Sequence, residues 1–101
     1  MAAALDRLWT KFLPEIEQRV ALLEAAIEAL PSGSLSSEQR QAAHAAAHKL
    51  AGSLGTFGLQ RGTELARQCE DTLGQDSAGA DLGDLKKWVV ELRALVQSRR
   101  G

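Results

Sequence analysis

The stretch Ala43-His44-Ala45-Ala46-Ala47-His48-Lys49-Leu50-Ala51-Gly52-Ser53-Leu54-Gly55-Thr56-Phe57 decides the fold class. Its apolar residues Ala43, Ala47, Leu50, Leu54 and Phe57 recur at steps of four, three, four and three. That spacing is one buried face of an amphipathic helix. Working outward, Ile16, Val20, Leu23, Ile27 and Leu30 keep the same rhythm upstream. Downstream, Leu59, Gly62, Ala66, Cys69 and Leu73 repeat it, with Leu65 widening the stripe. Leu82, Leu85, Val89, Leu92 and Val96 make a fourth stripe, with Trp88 and Leu95 beside it. Leu5, Leu8, Trp9 and Phe12 predict a further short helix over 1–13, and Pro14 either starts the next helix or kinks a continuous one.

Punctuation agrees with this division. Pro31-Ser32-Gly33-Ser34 breaks the chain, and Ser36 with Gln39 has capping-box spacing for the second bundle helix. Gly74 to Ala80 is a second break, with Asp81 placed as an N-cap. Four helices with short connections predict an all-α, antiparallel up-and-down four-helix bundle over 14–100, preceded by the short N-terminal helix, as one domain. Helices of this length are marginal alone in water, so their stability comes from the shared core.

Composition narrows the function. The 101 residues hold 12 Lys+Arg against 13 Asp+Glu, a formal charge of −1, which disfavours a nucleic-acid binder that must displace counterions with a basic face. The single Cys69 offers neither an internal disulfide nor zinc-finger spacing, and fits a reducing compartment. No apolar run approaches the roughly 20 residues of a membrane span, and Met1 to Asp6 lack the pattern of a secretory signal. The expectation is a cytoplasmic, monomeric domain.

Chemistry concentrates on the opening stretch. With about 100° per residue and zero at the middle of the apolar stripe, His48 lies about 140° away, towards solvent. Gly52 falls near 180° and Gly55 near 120°. The wheel places His44, Ala45, Ala51, Gly52 and Gly55 around the imidazole, nearly all of them small. Alanine at position 52 would favour the helix by about 1 kcal/mol, so glycine there suits the close approach of another surface. Equally, Gly52, Gly55 and Gly58 suit helix termination, and spacing leaves both readings open. Gly62 sits in an apolar stripe, where close helix packing accounts for it.

His48-Lys49-Leu50-Ala51-Gly52-Ser53, followed by Gly58-Leu59, resembles the motif of the histidine-containing phosphotransfer (HPt) domain of multistep phosphorelays. The match lies at the His, the Leu, the Gly and the Ser, and at the glycine-plus-apolar step that opens the next helix. By helix count and order the likeness runs from roughly Leu13 onward. Ala51 stands where the family frequently has Lys, leaving Lys49 as a cation beside the histidine. The resemblance implies that His48 takes a phosphoryl group from the phosphoaspartate of a receiver domain and passes it on. It implies further that Lys49 stabilises the phosphate charge, that Gly52 admits the partner, and that Glu70 orients the imidazole, with Gln68 as competitor. The receiver supplies Mg²⁺ and this chain binds no cofactor of its own, so it is a phosphocarrier without autokinase activity. A free imidazole titrates near pH 6.5, so near neutrality a useful fraction of such a side chain is nucleophilic.

Rival readings are weaker. His44 and His48, four apart, are an incomplete metal set with no Glu-x-x-His partner on another helix. Cys69 sits in an apolar stripe, unlike an exposed nucleophile. Glu64, Glu70 and Asp71 fit a solvated face better than an acid/base pair. The alternative from another class is a receiver-binding scaffold that carries no phosphate. A histidine-kinase dimerisation domain would need a following ATP-binding domain, for which the chain is too short.

Overall fold

In a computed structural model of the chain, residues 2–29, 36–74 and 82–99 are described. They form four helices: α1 (Ala2–Ala29), α2 (Ser37–Thr56), α3 (Gln60–Gly74) and α4 (Leu82–Ser98). Leu30, the Pro31–Ser34 break, the break after Gly74 and the Asp81 cap lie outside the described residues. The helices close a ring: α1 packs beside α2, α2 beside α3, α3 beside α4 and α4 beside α1, while the backbones of the diagonal pairs stay apart among the described residues. Cross-contacts such as Trp9 with Phe57, His48 with Glu70 and Asp6 with Arg99 set ring neighbours antiparallel.

The N-terminal segment is not a separate helix. It is the first half of α1, which runs unbroken through Pro14. Proline removes an amide proton and would leave the Thr10 carbonyl without its donor. Pro14 and Thr10 are both exposed, so that carbonyl faces water. Meanwhile Trp9, Leu13, Ile16, Val20 and Leu23 keep the core-facing rhythm across the proline, and packing on both sides outweighs the lost hydrogen bond. At 28 residues α1 is about 42 Å long, nearly the 45 Å long axis of the molecule.

The stripes read from the sequence form the core. Ile16, Val20, Leu23, Leu50, Leu54, Leu65, Cys69, Leu85, Val89, Leu92 and Val96 are all buried. Ala26, outside the first stripe, is also buried, whereas Leu8 and Phe12 stay 44% and 39% exposed. Trp9 closes one end, edge-on to Phe57 with ring centroids 5.1 Å apart and with the Arg99 guanidinium 5.4 Å above it. Arg99 also reaches Asp6 at 3.0 Å, and Arg93 grips Glu24 through two bonds of 2.6 and 3.1 Å. These contacts clasp α4 to one flank of α1 and leave its other flank beside α2.

Helix α2 begins on the capping box expected from the sequence: Gln39 N–H donates to Ser36 Oγ, and Ser36 N–H to Gln39 Oε1, each at 3.1 Å. It ends in a Schellman motif, with Leu59 N–H donating to the Leu54 carbonyl and Gly58 N–H to that of Gly55. Gly58 takes φ +74°, a conformation that favours glycine.

Candidate functional site

The site lies midway along the groove between α2 and α3. His48 projects from α2 with 72% of its side chain exposed, and its Nδ1 stands 2.8 Å from Oε2 of Glu70 on α3. An ionised carboxylate only accepts, so Nδ1 carries the proton and donates it, and the neutral ring presents Nε2 as its lone-pair nitrogen. Glu70 is itself mostly covered, with 23% of its side chain exposed, which makes it a stiff anchor for a ring that would otherwise rotate. Gln68, the competing residue on α3, makes no hydrogen bond to the imidazole.

The glycines around His48 separate into distinct roles. A Cβ built on Gly52 meets nothing within 4 Å, so no packing inside the molecule accounts for the missing side chain. At Gly55 it would stand 3.3 Å from Thr63 Oγ1, and that hydroxyl donates to the Ala51 carbonyl at 3.1 Å. Gly55 therefore lets α3 close on α2. Gly58 terminates the helix. Gly62 is packed against Leu54, whose Cδ1 would lie 2.9 Å from an added Cβ.

Two placements differ from the helical wheel. Ala51 is buried rather than part of the exposed patch, because α3 covers that flank and Thr63 bonds its carbonyl. His44 is half-buried, with its ring against Gly74 at the end of α3, and so engages a different partner from His48. Lys49 is exposed, but it stands about 100° further round α2, past Gly52 and on the side remote from α3. The structure brings His48 and Glu70 together, sets Gly52 open beside them, and puts Lys49 on the opposite shoulder.

A profile of the Hpt domain matches residues 7–100. The chain belongs to the Hpt domain family. It is 38% identical over 72 residues to Protein RcaC of Microchaete diplosiphon, an alignment that covers 71% of this chain and 11% of that protein. The chain thus spans only a small part of its relative's length. No solved structure gives a significant match. As an Hpt domain it is a phosphotransfer domain of two-component signalling.

Other features of this Hpt domain lie apart from the imidazole. Among the described residues no cluster of three or more His, Cys, Asp or Glu side chains is placed to hold a metal ion, and no helix is long and apolar enough to cross a membrane. Cys69 is fully buried, and burial pushes its thiol up to about 12. Glu64 sits 3.4 Å from Arg61, which in turn pairs with Glu91 at 2.8 Å. Hydrogen bonding from Arg61 holds the Glu91 carboxyl below its ordinary range.

Sequence reasoning passed over three groups at this site. Thr63 fills the notch at Gly55. Arg67 lies one turn before Glu70, a spacing that could have flagged it. Leu8 and Phe12 mark only an N-terminal helix in the sequence, and nothing in their spacing shows that they stay exposed.

Proposed function

We propose that this Hpt domain carries a phosphoryl group on His48, receiving it from the phosphoaspartate of a receiver domain and returning it to a receiver aspartate. The observation that carries this reading is the exposed imidazole fastened through Nδ1 to Glu70, with Nε2 free to solvent. The Nε2 lone pair attacks phosphorus, the P–O bond to the aspartate breaks, and its electron pair leaves on the carboxylate. The Nδ1 proton stays in the hydrogen bond, where Glu70 stabilises the positive charge the ring gains. Phosphoryl transfer relies mainly on alignment and charge stabilisation, so one well-held imidazole suffices on this side of the complex. Mg²⁺ belongs to the receiver, and Lys49, exposed on the shoulder of α2 remote from α3, adds positive charge to the surface that the receiver meets.

The docking surface is the His48 face of α2 with the neighbouring flank of α1. Asp6, Glu17 and Glu24 mark the flank of α1 that meets α4. Leu8 and Phe12, off that flank, supply exposed apolar area on α1. A receiver seated there excludes water from the transferring group. A domain that exchanges partners suits a modest, transient interface. We propose in addition that it acts in the cytoplasm as a monomer.

The test is incubation with a panel of phosphorylated receivers. Transfer should give an acid-labile, alkali-stable phosphate on this chain. Binding without transfer across the panel would instead favour a scaffold that carries no phosphate.

A further inference from the structure

Resting on the phosphocarrier reading, we propose that Arg67 is the cation that holds the phosphoryl group on His48, a role that neither Ala51 nor Lys49 is placed to fill. A phosphohistidine brings close to two negative charges to a ring already 2.8 Å from the Glu70 carboxylate. That concentration of charge calls for a cation on the α3 side of the imidazole. Helix α2 supplies none there: Ala51 is buried beneath Thr63, and Lys49 stands on the far shoulder.

Helix α3 has two cations, Arg61 and Arg67. Arg61 is engaged by Glu91 and Glu64, whereas Arg67 is exposed and makes no ion pair or hydrogen bond among the described residues. The antiparallel pairing fixes its level. His48 with Glu70, and the Ala51 carbonyl with Thr63, bracket Arg67 from either side. Arg67 is therefore about 4.5 Å along the axis from Glu70, level with the turn of α2 between His48 and Ala51. It lines an open groove of about 450 Å³ with Gly55, Thr63 and Glu64. Gly52 faces open space and Gly55 carries no side chain, which leaves the surface of α2 beside His48 low for a long arm extended from α3. Its planar fork suits bidentate contact with phosphate oxygens. Of the other charged groups nearby, Glu64 is drawn to Arg61 and His44 is turned to Gly74.

The experiment compares the whole chain with Arg67→Ala and Arg67→Lys, using phosphoramidate as a small phosphoryl donor and a phosphorylated receiver as the natural type of donor. With phosphoramidate, ³¹P NMR should show the second ionisation of the phosphoryl group rising by roughly half a unit in Arg67→Ala. With the receiver, transfer to Arg67→Ala should slow roughly five- to tenfold, since a charge contact strengthens once water is excluded. Arg67→Lys should recover most of both effects. Wild-type titration and wild-type transfer in Arg67→Ala would overturn the assignment while leaving His48 as the carrier. A wild-type chain that accepts phosphate from neither donor would instead overturn the phosphocarrier reading, and this assignment with it.

Discussion

Glu70 Oε2 lies 2.8 Å from Nδ1 of His48, so one residue on α3 sets which nitrogen of a histidine on α2 faces the solvent. The neutral ring should be the tautomer protonated at Nδ1, visible in long-range ¹H–¹⁵N correlations of the imidazole. Glu70→Ala should free the ring and slow phosphoryl transfer roughly tenfold, while Glu70→Gln, which still accepts from Nδ1–H but lacks the charge that steadies the ring, should slow it less. A wild-type ring protonated at Nε2 would contradict this role.

Gly52 faces open space, so its substitution separates folding from docking. Gly52→Ala should raise the free energy of unfolding by about 0.5–1 kcal/mol in a urea titration. Gly52→Leu should also fold but slow transfer from a receiver, because the new side chain fills the surface on which the partner closes. Unchanged transfer kinetics in Gly52→Leu would count against close approach at this point.

Gly58 and Gly62 should respond in the opposite sense. Gly58→Ala forces a left-handed conformation on a residue with a Cβ, at a cost of about 1–2 kcal/mol. Gly62→Ala drives its methyl into the tip of Leu54, an overpacking cost of about 1–3 kcal/mol partly offset by the roughly 0.5–1 kcal/mol that alanine adds to the helix. Both losses should appear as lower urea midpoints, without loss of the phosphoryl acceptor.

Cys69 predicts a pH dependence of stability. Burial raises its thiol from 9.0 to about 12 in the folded chain, so above pH 9 the unfolded chain releases a proton that the folded one retains. The stability this contributes is intact below about 9 and is lost as pH rises towards 12. The urea midpoint of the wild type should fall more steeply between pH 8 and 10.5 than that of Cys69→Ala. Iodoacetamide at pH 8 should label the thiol only after denaturation.

Much of this architecture was legible in the residue pattern, because burial imposes a period. The stripes through Leu50, Leu65 and Leu92 mark core faces, and Ser36 with Gln39 announces a helix start. The continuity of α1 stood as only one of two readings, because local chemistry at Pro14 favours a break, while the forces that override it act from Val20 and Trp9 through other helices. Ala51 was misplaced for a related reason: a wheel locates solvent relative to one stripe and is blind to the neighbour that covers its flank. At the site, motif spacing led to His48, Gly52 and Glu70. The meeting of His48 with Glu70, and the level of Arg67, depend on the register between α2 and α3, which no single helix encodes.

The central claim is that His48 is the phosphoryl acceptor. Its most direct test is tandem mass spectrometry, under alkaline handling, of the chain after incubation with a phosphorylated receiver, run in parallel on His48→Gln. The account predicts phosphate on His48 in the wild type, and none in a variant whose helical circular dichroism is unchanged. Full labelling of His48→Gln, or a phosphate on another residue of the wild type, would contradict it.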